Sequence, residues 1–127
     1  MSRLIAMNEV LYKDTGGSVF LVLVGRSPKA RVLDLFLAAP YFDFSREEVA
    51  RELGMSKHTV YRVVRELEEL GVLRVSRKVG RAVMYRLNRE SPVVKKLEEL
   101  VYELSRQIAE EELKRTKLSP VEVASEK

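Results

Sequence analysis

Apolar residues recur every three or four positions in four stretches of this chain and alternate with polar ones in a fifth. The first kind of pattern predicts helices, the second strands. Val32, Leu33, Phe36 and Leu37 predict a helix that opens at Ser27 as cap, with Pro28 in the first turn, and stops at Pro40. Val49, Ala50 and Leu53 predict a second helix. Ser45 with Glu48 three residues on forms a capping-box pattern, and Gly54 ends the element. Ser56 then caps a third helix that Gly71 closes. Two helices separated by so few residues, each with a coherent apolar side, predict a helix-turn-helix.

The period changes after Gly71. In "VLRVSRKVGRAVMYRLN" the pattern alternates on both sides of Gly80, which predicts a hairpin with Arg77, Lys78 and Arg81 at a basic tip. A helix-turn-helix followed at once by such a hairpin is the outline of a winged helix. Val94, Leu97, Val101, Leu104 and Ile108 then recur over a helix from 92 to 116, roughly 37 Å long at 1.5 Å per residue. That is more helix than a small domain can cover, so its seam is expected to meet a second copy of the chain or the N-terminal segment.

The ends are harder to read. Glu9 to Lys13 alternates in part, "DTGGS" reads as a turn, and "VFLVLV" is rich in β-branched and aromatic residues. An N-terminal hairpin is the expectation, with a short buried helix as the alternative. "YFDF" at 41–44 suits a brief strand. "LSPVEVASEK" is short and polar. The expected organisation is an N-terminal segment at 1–26, a winged helix-turn-helix at 27–90, a dimerisation helix at 91–117 and a tail at 118–127. The fold class is mainly α with a small β-hairpin wing.

Composition narrows the partners. The 127 residues include 23 Lys and Arg against 19 Asp and Glu, for a net charge of +4. The excess is concentrated, because Lys57 to Arg89 holds nine basic and three acidic residues. A focused positive region on a nearly neutral chain points to an anionic partner. There is no cysteine, which excludes disulfides and thiolate metal sites and suits a cytoplasmic protein. No apolar run is long enough to span a bilayer, and no signal peptide is evident in "MSRLIAMNEV".

Projected at 100° per residue, the third helix places Val60, Val63, Val64, Leu67 and Leu70 in one sector and His58, Tyr61, Arg62 and Arg65 in another. The first set asks for a core. The second suits phosphates and base edges. Arg62 and Arg65 are the candidates for bidentate contact with guanine, and Tyr61 for a thymine methyl or a phosphate. His58 can donate to a phosphate. Ser56, Lys57 and Thr59 lie in the first turn, where free backbone donors also favour one. The wing tip is placed to reach a minor groove or the backbone. Bland rivals stand beside these roles: Arg65 pairing with Glu69, Tyr61 packing partly into the domain, His58 as an ordinary surface residue and the wing as a soluble hairpin.

"EEVARELGMSKHTVYRVVRELEELGVLRV" resembles the winged helix-turn-helix transcriptional regulators, broadly the MarR and ArsR type and especially small archaeal ones. Ala50 matches the small residue that lets the two helices cross closely, Gly54 the turn glycine and Val60 the buried aliphatic of the recognition helix. The resemblance spans about 27 to 90 and implies a recognition surface at Ser56 to Arg65 and a wing at Arg77 to Arg81. It also implies dimerisation through the C-terminal helix. Metal sensing of the ArsR kind needs ligands this chain lacks, so neither metal nor cofactor is expected.

The function expected is a homodimeric, sequence-specific regulator on double-stranded DNA, a repressor by family habit, with its effector unknown. Two rivals remain: a winged protein-interaction module, and an architectural protein that binds DNA with little preference. An enzyme is not expected, because no nucleophile-base-acid set and no glycine-rich phosphate loop is present.

Overall fold

The computed structural model describes residues 18–117. Residues 24–98 form one compact unit. The described residues 18–23 and 99–117 belong to a second. Five helices and three strands follow in order: α1 (Val19–Val24), α2 (Pro28–Ala38), β1 (Asp43–Ser45), α3 (Arg46–Leu53), α4 (Lys57–Glu69), β2 (Leu73–Val79), β3 (Ala82–Leu87) and α5 (Pro92–Lys117).

The caps work as their residue types require. The Ser27 side chain accepts from the Ala30 amide at 3.1 Å, with Pro28 in the first turn. Ser45 and Glu48 complete a capping box: the Ser45 hydroxyl accepts from the Glu48 amide and Glu48 Oε1 accepts from the Ser45 amide. Gly54 ends α3 with φ at 66°, a left-handed conformation that glycine adopts without Cβ strain. Ser56 then caps α4 through the Thr59 amide.

Three helices, the sheet and the start of α5 share one core. Val32 and Phe36 of α2, Val49 and Ala50 of α3, and Val60, Val63, Val64 and Leu67 of α4 are buried together with Val72, Leu73, Tyr85, Leu87 and Val94. Phe36 meets Phe44 edge-on, with ring centroids 5.4 Å apart. Polar ties hold the frame at its joints. Arg31 Nη2 donates to the Leu53 carbonyl at 2.7 Å, serving one of the carbonyls that α3 leaves open at its end. Lys29 reaches Glu66 on α4 at 3.0 Å. The Asn88 side chain donates to the Gly71 carbonyl at 2.9 Å, tying the end of the wing to the end of α4.

The wing is one strand larger than a hairpin. The sheet is antiparallel in the order β1-β3-β2, with Phe44 opposite Tyr85 and Leu73 opposite Leu87. The brief strand expected at "YFDF" thus falls at Asp43–Ser45, on the free edge of β3. Ser76 is an extra residue in β2, because Val75 faces Tyr85 while Arg77 faces Met84.

Three expectations are corrected. "VFLVLV" is the short helix given as the alternative, not the expected strand. Ser18 accepts the Leu21 amide on its hydroxyl, and the adjacent Phe20 and Leu21 are both buried, which strand alternation does not provide. The remainder of the expected N-terminal hairpin, at Glu9 to Lys13, lies outside the described residues, as does the tail at 118–127. Leu70 is not in the core: α4 ends at Glu69, Leu70 is its cap, and its side chain is 66% exposed. Val94, expected on a free seam, is fully buried in the core of residues 24–98.

Candidate nucleic-acid interface

The two faces of α4 differ completely in character. Val60, Val63, Val64 and Leu67 have almost no exposed surface, while Lys57, His58, Arg62 and Arg65 are exposed. Burial of the first four anchors the helix and fixes the direction of the others. Ser56 is exposed but occupied: it accepts from the Thr59 amide and donates to Thr59 Oγ1 at 3.0 Å. Thr59 is half-buried beside it. This pair positions the first turn of α4.

Neighbouring side chains treat the two central arginines differently. Arg62 Nη1 lies 3.6 Å from Glu66 Oε2, one turn on, and Glu66 also holds Lys29. The Lys29 ammonium, foremost, holds the Glu66 carboxyl below the usual carboxylate range. Arg65 makes no ion pair with Glu69 or any other described residue. Sequence spacing named Arg65 for such a pair, but the structure gives it to Arg62.

Tyr61 is half-buried, its ring carrying a polar cluster that joins α3, α4 and β3. Its hydroxyl donates to Glu47 Oε2. That bond is the main cause of a lowered Glu47 pKa and a raised Tyr61 pKa, since it favours both the carboxylate and the neutral phenol. The Arg46 guanidinium carbon sits 4.0 Å from the Tyr61 ring centroid and 5.6 Å from that of Tyr85. Sequence reading missed Arg46, Glu47 and Tyr85. Glu47 sits 14 residues from Tyr61 in the chain, and no local spacing signals that they meet.

On the wing, Lys78 and Arg81 are exposed beside the turn at Gly80, which takes φ 61°. Arg77 stands below them. Its Nε donates to Asp43 Oδ2 at 2.9 Å, and Ser76 Oγ donates to the same oxygen at 2.8 Å. These bonds, Arg77 first, hold the Asp43 carboxyl below its ordinary value. The bulge at Ser76 lets two successive side chains of β2 turn to one carboxylate on β1. Arg77 is therefore a latch between the outer strands as well as a surface cation, with its side chain 63% exposed.

Along α5, Leu97, Val101, Leu104 and Ile108 are half-buried, whereas Tyr102 and Leu113 are exposed. Arg106 binds Glu103 and Glu110 on its own helix. Among the described residues no group of three or more His, Cys, Asp or Glu is placed to hold a metal ion, and no helix is long and apolar enough to cross a membrane.

The family model of a homeodomain-like domain matches residues 29–77, which holds the helix-turn-helix and most of the first strand of the wing hairpin. A Staphylococcus aureus MepR mutant bound to an oligodeoxyribonucleotide is similar at 18% identity, over 98% of this chain and 88% of that one, with a TM-score of 0.60. A mutant MarR from Escherichia coli is similar at 19% identity over 98% and 89% of the two chains, with a TM-score of 0.54. A mutant of Lactococcus lactis ZitR in its apo form is similar at 16% identity over the same shares, with a TM-score of 0.55. No curated protein matches the sequence. At these identities the likeness is one of fold: this chain has the winged helix-turn-helix fold of MarR-like regulators.

Proposed function

We propose that this protein is a sequence-specific, double-stranded DNA-binding transcription regulator that acts as a homodimer in the cytoplasm, most simply as a repressor that occludes a promoter. The observation that carries the reading is α4, whose buried stripe of Val60, Val63, Val64 and Leu67 turns Lys57, His58, Arg62 and Arg65 outward. A major groove admits one such helix, and its base edges accept the paired donors of arginine. Exposed Lys78 and Arg81 on the wing supply cations for the neighbouring backbone. The MepR mutant of similar fold is bound to an oligodeoxyribonucleotide, which supports a DNA-binding reading here.

A dimer would set two α4 helices about one turn of DNA apart, roughly 34–36 Å, and read an inverted repeat. The half-buried seam of Leu97, Val101, Leu104 and Ile108 on α5 is the surface proposed for pairing. No chemistry is assigned to the site, and the reading is a non-enzymatic one.

The test is fluorescence anisotropy on a pool of random duplex DNA across a range of salt, followed by sequencing of the bound fraction. Enrichment of an inverted repeat, with affinity falling steeply as salt rises, is the expected result. Binding without enrichment would replace this reading with an architectural role. Absence of binding at low salt would favour a protein-interaction module.

A further inference from the structure

We propose that Arg46, the first residue of α3, is a DNA phosphate-binding residue held ready by a stack on Tyr61 and Tyr85. The inference rests on the DNA-binding reading and adds to it a contact from outside the recognition helix and the wing tip.

The guanidinium carbon lies 4.0 Å from the Tyr61 ring centroid and 5.6 Å from that of Tyr85. Two rings on two different elements thus restrict a side chain that would otherwise have large rotamer freedom. Tyr61 lies one turn from Lys57 and one turn from Arg65 along α4, so its ring belongs to the same row as those exposed cations. Stacking on that ring brings Arg46 into line with them. Glu47 anchors the ring in turn by accepting the Tyr61 hydroxyl proton.

The donors of Arg46 are unspent. Its Nη1 and Nη2 make no hydrogen bond or ion pair among the described residues and are the donors it can offer, while Nε, also unpaired, is shut off from solvent. Glu47 is adjacent in sequence, but its carboxylate is engaged with Tyr61. A planar guanidinium presents its donors as a rigid fork that matches two oxygens of a phosphate. Glu47 feels the Arg46 charge but forms no ion pair with it, so a cation of fixed orientation gives up no salt bridge when a phosphate arrives. In a helix-turn-helix the first of the two helices crosses the DNA backbone while the second enters the groove, and α3 is that first helix.

The rival role for Arg46 is a purely structural staple between two tyrosines. Salt dependence separates the two, because each phosphate neutralised contributes about 0.9 to the slope of log affinity against log salt. Arg46→Gln is expected to lower that slope by about 0.9. Its affinity loss should be the same on a selected sequence and on random duplex. Arg46→Lys should keep the slope near that of the unsubstituted protein while binding more weakly, since it retains the charge and loses the fork. Should the Gln variant melt early, Arg46→Met, which keeps an apolar stem against both rings, gives the same reading. A neutral variant that binds with the original slope would overturn the assignment and leave the DNA reading intact. Failure of the unsubstituted protein to bind any duplex at low salt would overturn both.

Discussion

Arg62 and Arg65 sit three residues apart on one exposed face, yet they start from different states. Arg62 leans toward Glu66 at 3.6 Å, while Arg65 has no ion pair among the described residues. An exposed pair of this kind contributes little to stability, so Arg62 can leave it for a base at small cost. Each is expected to supply part of the sequence preference. Arg62→Ala and Arg65→Ala should each weaken binding to a selected site by about 1–3 kcal/mol and relax the base preference at one position. Arg81→Ala, on the wing, should weaken binding to all sequences alike. Competition titrations with single-base variants of the site distinguish these outcomes, and unchanged selectivity in both helix variants would reject the recognition-helix assignment. The contrast between buried valines and exposed cations on α4 was legible in the sequence, because both follow from the helical period. The choice of Glu66 over Glu69 as acidic partner was not, because Glu66 is drawn into place by Lys29 on another helix.

At the scale of elements, the wing depends on a connection that its own hairpin does not contain. Asp43 on β1 accepts from both Arg77 and Ser76 on β2, across the central strand β3. Because the folded state lowers the Asp43 pKa, the carboxylate contributes stability that is fully present above the ordinary aspartate value of about 4. That contribution fades as pH falls through the lowered folded-state value. Asp43→Asn should therefore lower the thermal midpoint at pH 7. The gap between variant and original protein should begin to narrow below about pH 4 and close once the pH has passed the lowered folded-state value, where both lack the charge. Melts followed by circular dichroism across that range check the sign, and a gap that widens in acid would refute the latch. The alternation of β2 and β3 predicted a hairpin, and a hairpin is present. Its third strand and its bulge answer to residues more than thirty positions away, which no local pattern encodes.

For the whole molecule, the division into residues 24–98 and a second unit separates two tasks. The first unit holds a closed core and the candidate DNA surface. The second holds most of α5, whose half-buried Val101, Leu104 and Ile108 are the proposed pairing seam. Leu104→Glu places a charge in that seam and should convert a dimer to monomers in sedimentation velocity, with the thermal transition of the winged unit retained. A dimer that persists would reject the seam. Val94 was expected there by its spacing and instead completes the core of residues 24–98. The heptad-like row continues unbroken through α5, but the surroundings of its first member differ from those of the rest.

The sequence alone determined the three helices from Ser27 to Gly71, their caps, the tight turn between the last two, the hairpin and the long final helix. Each of these follows from interactions within a few residues: a serine hydroxyl meeting an amide three positions on, a glycine accepting a left-handed φ, an apolar period matching a helix or a strand. Tertiary structure decided what those signals leave open. It made "VFLVLV" a helix, because burial of adjacent Phe20 and Leu21 outweighs β propensity. It also drew Arg77 to Asp43, placed Arg46 over two tyrosines and gave Tyr61 a carboxylate partner. These contacts join segments distant in the chain, and their energies exist only once the core has brought the segments together.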